Sequence, residues 1–534
     1  MKSPCDEGVI QGASPSADCV AKSKPWILAA VILGSSMAFI DGTVVNVALP
    51  ALQSSLHATV VGVQWVIESY GLFLSALILV GGALGDSLGR RLVFLAGAGL
   101  FAAASIGCGL SSTIAQLVIF RCVQGIGAAA LVPSSLAIIS ASFDEQSRGQ
   151  AIGTWSGFTA ITTALGPVIG GWLIQHASWH WVFFINIPLA AAVILISLFH
   201  IPETRSVSAR RIDWLGAFII TLSLAGLAYG FIQSAELGWG SPLVIGSLVV
   251  GFVGIALFVV IEPRVGAPMV PFELFKSRSF TGANLLTLLL YAALSAFFFM
   301  FPLNLIQIQK YSTTATGAAS LPMIVLMFLL SRWSGGLVAH YGPKIPLIIG
   351  PVIAALGFLL FALPTVGGNY WLTFFPAFVV MGLGMAITVA PLTVVVMASV
   401  GRDRSGTASG INNAVSRVAG VLAIAILGGA MVQAFGHELE KSLETLKLSP
   451  TVTSDLQSNR NKLAGIEVPK NLDTGAAGAV EAGIVHSFVF AFRLMMAICA
   501  CLAIASAAVA WRMIDSSTED TTQESTFVKR APAL

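Results

Sequence analysis

Gly81-Gly82-Ala83-Leu84-Gly85-Asp86-Ser87-Leu88-Gly89-Arg90-Arg91 is a short charged turn between two long apolar segments. On one side, Trp65 to Val80 is apolar apart from Glu68 and a few small polar residues; on the other, Leu92 to Leu110 carries no charge. So short a connection between two such segments reads as a hairpin of antiparallel membrane helices. Its glycines permit close packing and positive φ where the chain reverses, Asp86 is placed to cap the start of the next helix, and Arg90 and Arg91 anchor it among headgroups on the cytoplasmic side.

Composition agrees. Of 534 residues, 56% are hydrophobic and only 10% charged, with a mean hydropathy of +0.87, and such a chain cannot cover its apolar surface in water. The net charge of +3 therefore says nothing of nucleic acid, and the placement of each Lys and Arg carries the information. The six cysteines have no disulfide or metal-ligand spacing, the seven histidines are scattered, and the polar stretch before Trp26 is no signal peptide. With no G-x-x-x-x-G-K-[ST] loop, no nucleotide-driven cycle is indicated; no cofactor or enzymatic activity is expected.

Counting apolar runs of about 20 residues predicts an all-α integral membrane protein of fourteen spans. Six lie near 26–49, 62–84, 92–110, 114–140, 150–174 and 181–201; two near 214–233 and 242–262; and six near 280–306, 315–339, 345–363, 371–398, 408–434 and 485–512. The expected organisation is an N-terminal tail (1–25), a six-helix bundle (26–201), a linker with two extra helices (202–279), a second bundle (280–512) and a C-terminal tail (513–534). The stretch 434–484 reads as a long, polar, partly disordered outer loop. Taken over alternate loops, Lys and Arg gather on the side that holds Arg90 and Arg91, which puts both termini in the cytoplasm of a cell-membrane protein.

The two bundles echo each other. Ser334-Gly335-Gly336-Leu337-Val338-Ala339-His340-Tyr341-Gly342-Pro343-Lys344 repeats the opening stretch with Ala339 in place of Asp86, and Ala398-Ser399 to Ser409-Gly410 repeats Ala141-Ser142 to Ile152-Gly153. Paired halves are the pattern of transporters that rock about a central site.

Within the spans, Asp41 is costly unless paired, hydrated or protonated. It lies about 12 Å below the outer end of its helix at 1.5 Å per residue, and Glu68 and Arg121, counted down their own helices, come out at the same depth. A carboxylate whose protonation is balanced between burial and a nearby guanidinium suits a proton site; the alternative is an ion pair that only locks helices. Arg121, Gln124 or Gly125, and Ala128 share a helix face, with small neighbours that admit another helix. In the fifth span Gly166-Pro167-Val168-Ile169-Gly170-Gly171 combines a glycine-lined face with a break in the backbone bonding. Asn413 and Arg417, one turn apart, are candidates to face a cavity or to bond helices together. Tyr291 and Phe297 to Met300 are candidates for an apolar pocket or for packing.

The opening stretch resembles the loop signature between the second and third helices of the major facilitator superfamily, G-x-L-x-D-x-x-G-R-R. Arg121-Cys122-Val123-Gln124-Gly125-Ile126-Gly127 resembles that superfamily's fourth-helix motif, whose arginine is implicated in proton transfer, and G-P-x-x-G-G at 166–171 resembles the exporters' signature. Asp41 to Pro50, with Trp179-His180-Trp181-Val182-Phe183-Phe184-Ile185-Asn186-Ile187-Pro188, is similar to the fourteen-helix drug:proton antiporters, with His180 where they carry arginine. The resemblance implies two six-helix bundles plus two inserted helices, proton-coupled efflux of amphiphilic or cationic drugs by alternating access, and a monomer whose partners are a small molecule, protons and the bilayer. With the buried charges counted above, it points to coupling by Asp41, Glu68 and Arg121, and it implies conformational motifs at Gly82, Gly85, Asp86, Gly89, Arg90, Arg91, Gly166, Pro167, Gly170 and Gly171. Gln124, Asn413 and Arg417 are possible cavity residues. Export of one endogenous metabolite or lipid-like compound is the alternative; a membrane enzyme or a channel fits less well.

Overall fold

A computed structural model describes residues 17–515 apart from 144, 206–212, 267, 368, 401–404, 445, 447, 470–471 and 473. The expected tails to residue 16 and from 516, and the linker bases Arg210 and Arg211, lie outside these. In hydrocarbon every backbone N–H and C=O must find its partner within the segment, so apolar runs of this length fold as helices. Fourteen long ones occur among the described residues. The first bundle comprises α1 (Ala17–Ser55), α2 (Val60–Leu88), α3 (Arg90–Gly109), α4 (Ile114–Ser142), α5 (Glu145–His176) and α6 (Asn186–His200). The inserted pair is α7 (Trp214–Leu237) and α8 (Pro242–Ile261). The second bundle comprises α9 (Arg278–Leu303), α10 (Leu321–Tyr341), α11 (Lys344–Phe361), α12 (Phe375–Ala398), α13 (Ser405–Glu444) and α14 (Thr474–Met513). Thirteen are long and apolar enough to cross a membrane, and α5, of 32 residues, is the remaining one. Short turns Trp181–Phe184 and Thr313–Ala318 lead into α6 and α10. The protein is a multi-pass membrane protein.

The internal repeat is visible in the packing. In the first bundle α2 and α3 pack on α4, α5 and α6 on α1, and α3 on α6; in the second, α10 and α11 pack on α12, α13 and α14 on α9, and α11 on α14. Adding eight to each helix number converts one set into the other. Gly89 (φ 122°) before α3 and Gly342 (φ 70°) before α11 repeat the same left-handed reversal, open to glycine at little cost. The halves meet along α2 with α13 and along α5 with Thr313–Ala318, while α7 lies against both α2 and α13 and α8 packs on α7.

Two sequence expectations change. The described residues of 434–484 are largely helical: α13 and α14 are each 40 residues long and run far past their expected ends at 434 and 485, and Pro450–Ser458 adds a helix. Its apolar residues explain this, since Leu439, Leu443, Val452, Leu456, Leu463 and Ile466 are buried in the main core. Asp86 does not cap α3. It lies in the last turn of α2 and accepts from Arg90 Nη2 at 2.8 Å and Nε at 3.1 Å, whereas Glu203, beyond α6, accepts the Arg91 and Leu92 backbone N–H groups, each at 3.1 Å. A carboxylate at a helix N-terminus satisfies free donors and the dipole together.

Close approach of α4 to its neighbours depends on glycine. A Cβ on Gly81 would run into the Ala129 carbonyl, and one on Gly127 would come within 2.8 Å of the Phe101 backbone nitrogen. At Gly82 the nearest atom is Pro133 Cβ at 3.6 Å, ordinary contact. Gly81→Ala is expected to lower the melting temperature in detergent by forcing α2 from α4, while Gly82→Ala melts near wild type. Equal melting of the two variants by fluorescence-detected size exclusion contradicts this packing account.

Candidate functional site

Asp41 is fully buried in α1, and its carboxylate is saturated. Oδ2 is ion-paired with Arg121 Nη1 of α4; Oδ1 accepts from Gln124 Nε2 at 2.8 Å and from Asn186 Nδ2 of α6 at 3.0 Å. Arg121 also donates to Gln124 Oε1 at 2.7 Å and, through Nε, to the Val66 carbonyl of α2 at 2.9 Å, with its guanidinium 4.3 Å from the Tyr70 ring centroid and 5.9 Å from that of Phe183. Ser105 of α3 receives Gln124 Nε2 at 2.8 Å. One ion pair thereby ties α1, α2, α3, α4 and α6, and its members Asp41, Arg121, Gln124, Asn186 and Ser105 are each no more than 1% exposed. Helix register produces the arrangement: Arg121 and Gln124 are three residues apart on one face, while Gly125 lets α2 approach and Gly127 lets α3 approach. Asn186 and Ser105 were not singled out from the sequence, although Asn186 stands inside the I-N-x-P segment quoted above.

Glu68 shares the depth but not the direction. It follows Gln64, which donates to the Ile424 carbonyl at 3.1 Å, by one turn, and precedes Gly71, where a Cβ would lie 3.2 Å from Val421. That face meets α13 of the second bundle. Glu68 is 1% exposed and neither carboxyl oxygen has a hydrogen-bond partner. An ionised carboxylate so placed is costly, and a proton removes the cost.

Between the bundles lies a cavity of about 820 Å³, lined by Gly42 and Asn46 of α1, Pro167 of α5, Phe298 of α9, Met327 of α10 and Ala390 of α12, among others. Asp41, Glu68 and Gln124 do not line it. Nor do the candidates of α13: Asn413 is exposed and bonds its own helix at Ser409 O, 3.0 Å away, and Arg417 crosses to the first bundle, 5.5 Å from the Phe39 ring centroid. Of the aromatic run only Phe298 reaches the cavity; Phe297 is buried against Phe301 and Phe361.

On the face opposite the Arg90 and Arg91 loop, the halves are bonded together. Gly166 and Gly170 seat α5 on Thr43 and Val44 of α1, and Gly171 abuts Thr313, whose hydroxyl donates to the Gly171 carbonyl at 2.9 Å. The Pro167 carbonyl faces Gly317, where there is no room for a Cβ. Thr314 donates to Gln175 at 2.6 Å, and Gln53 is held by Gln307 at 2.9 Å and by the Lys462 carbonyl at 3.1 Å. His180 stacks on Trp179 with centroids 3.8 Å apart, and burial pushes its imidazole below the usual range.

The sequence model of the Major Facilitator Superfamily matches residues 31–424, across both bundles. The chain belongs to this superfamily of transporters. It is 34% identical over 423 residues to multidrug resistance protein Stp of Mycobacterium tuberculosis, covering 78% of each chain. It is 30% identical over 496 residues to the tetracenomycin C resistance and export protein of Streptomyces glaucescens, covering 92% of this chain and 91% of that one. In fold it is similar, with a TM-score of 0.62 and 16% identity, to the inward-facing, unoccupied structure of a bacterial homologue of the human lysosomal transporter Spinster, covering 92% of this chain and 99% of that one.

Removing one partner of a buried ion pair strands the other charge, which costs about 3–5 kcal/mol, whereas apolar replacement of both is far milder. Asp41→Leu and Arg121→Met are each expected to lower the melting temperature of the detergent-solubilised protein markedly, and the double variant to melt above either single one. Additive losses in this thermodynamic cycle contradict the assignment.

Proposed function

We propose that the protein is a proton-coupled exporter of amphiphilic drugs that works by alternating access between its two bundles. The observation that carries this reading is the Asp41 and Arg121 pair in the wall behind the cavity: protonation of Asp41 removes the attraction that ties the helices of the first bundle. Relatives named for multidrug resistance and antibiotic export support the direction of transport. The excess of Lys and Arg beside Arg90 supports cytoplasmic termini; the bonded seam at Gly171 and Gln53 then lies outside, and this conformer is closed to the exterior. Because the cavity is enclosed by two halves of one chain, a monomer suffices.

Glu68 serves the same cycle from the seam. When α2 and α13 shift, its surroundings change from apolar to hydrated, and its protonation changes with them. The motifs at Gly82 to Arg91 and Gly166 to Gly171 act as the rigid reversal and the hinged seam of that movement.

Efflux of a panel of fluorescent amphiphiles from cells, with and without a protonophore, tests the proposal. Wild type is expected to lose export when the gradient is collapsed, Asp41→Asn to lose at least tenfold of the initial rate, and Glu68→Gln to retain export with a weaker dependence on pH. Protonophore-insensitive export, or full activity in Asp41→Asn, refutes proton coupling. A correctly folded protein that moves no panel member fits export of a particular metabolite instead.

A further inference from the structure

Resting on that efflux reading, we propose that the cargo is uncharged while it occupies the cavity: a neutral, ring-containing amphiphile rather than a permanent cation. Among the described residues the lining carries no charged side chain. Its apolar part is soft and aromatic, with Phe298, Phe301, Phe328, Met323 and Met327, and its polar part is confined to small groups such as Thr43, Asn46, Thr163, Ser295, Thr316 and Ser320. Thioethers and phenyl faces accommodate rings of varied shape, and about 820 Å³ is the size of a site for one drug-sized molecule.

Two carboxylates come within one residue of the lining and still do not serve it. Gly42 lines the cavity, but its neighbour Asp41 points into the first bundle, where both oxygens are taken by Arg121, Gln124 and Asn186. Ile67 lines the cavity, but its neighbour Glu68 is turned to the α13 seam and is 1% exposed. A cation entering this space sheds water and meets no counter-charge among the described lining residues; the ring faces of Phe298, Phe301 and Phe328 offset only part of that desolvation.

The hydroxyls differ in availability. Thr43 Oγ1 lies within 3.2 Å of the Phe39, Ile40 and Thr163 carbonyls and is committed to donating there. Thr316 Oγ1 is buried and has no partner, in a residue 4% exposed that lines the cavity. Its hydroxyl is therefore uncommitted, unlike that of Thr43.

Charge balance gives a second consequence. Exchange of one proton for one monovalent cation moves no net charge, whereas exchange of a proton for a neutral molecule carries one positive charge inward per cycle. Export of the proposed cargo is therefore accelerated by an inside-negative potential even at equal pH.

The test uses the full chain in proteoliposomes, with neutral Nile red and permanently cationic ethidium as probes, under an imposed pH gradient and, separately, an imposed potential. Wild type is expected to transport Nile red at least tenfold faster than ethidium, and the potential alone to drive Nile red. Met327→Glu, and independently Ala390→Asp on another lining helix, are expected to raise ethidium transport about tenfold and to slow Nile red. Gradient-driven transport of ethidium at the rate of Nile red or above overturns the neutral-cargo proposal and leaves the efflux reading intact. Transport of neither dye by folded wild type overturns both. Nile red transport that ignores both gradients keeps the neutral cargo and removes the proton coupling.

Discussion

A guanidinium and a carboxylate withdrawn from water in the centre of a helical bundle constrain everything packed around them. Their mutual attraction offsets their desolvation only when geometry is good and the remaining donors and acceptors are satisfied. Around Asp41 and Arg121 that demand recruits Gln124, Asn186, Ser105 and the Val66 carbonyl, which together fix the azimuth of five of the six helices in the first bundle. Glycines at 125 and 127 are then required, since a guanidinium can only be enclosed if neighbouring backbones come close. The second bundle has no equivalent charge pair among the described residues. It is held instead by an aromatic cluster around Phe297, Phe361 and Phe378 and by Asn412 bonding Thr287 at 2.7 Å. The two halves are thus held by different chemistry, one by a buried charge pair and the other by rings and neutral hydrogen bonds.

The seam between the halves has a different chemistry from either interior. On the side of Gly171 it is made of backbone approaches and side-chain amides, contacts with modest individual strength that can be exchanged for water. Glu68 is buried on the α2 and α13 seam with neither carboxyl oxygen hydrogen-bonded, so it adds no ion pair across that interface. A moving interface benefits from this, because an ion pair across it would have to be broken in every cycle.

Much of this was legible in sequence because membrane helices obey few rules. Span length, the Lys and Arg bias and the repeated glycine turn define the helix count and the superfamily. Depth counting placed Asp41, Glu68 and Arg121 at one level, and the first and last do meet. Counting depth says nothing of azimuth, so the divergence of Glu68 was missed; the signal was its one-turn spacing from Gln64 and Gly71. Residues 434–484 read as a partly disordered loop because charge and polarity dominate the composition, while the buried leucines that fold it are spaced over two helices and a turn. The Glu203 cap lay beyond reach, since it joins residues more than 110 positions apart by a contact with backbone rather than with a side chain of opposite charge.

The inserted pair shows what an addition to a symmetric transporter can do. In a twelve-helix arrangement of two halves, α2 and α13 would present one flank of their seam to lipid. Here α7 covers that flank: Tyr229 lies 6.2 Å from Trp65 of α2 between ring centroids, Glu236 accepts from Thr59 at 2.8 Å, and the Phe231 carbonyl stands 3.0 Å from where a Cβ of Gly429 in α13 would be. Because α7 touches both halves, any sliding of α2 past α13 must be accommodated along α7, and the largely exposed α8 gives it an apolar partner that travels with it.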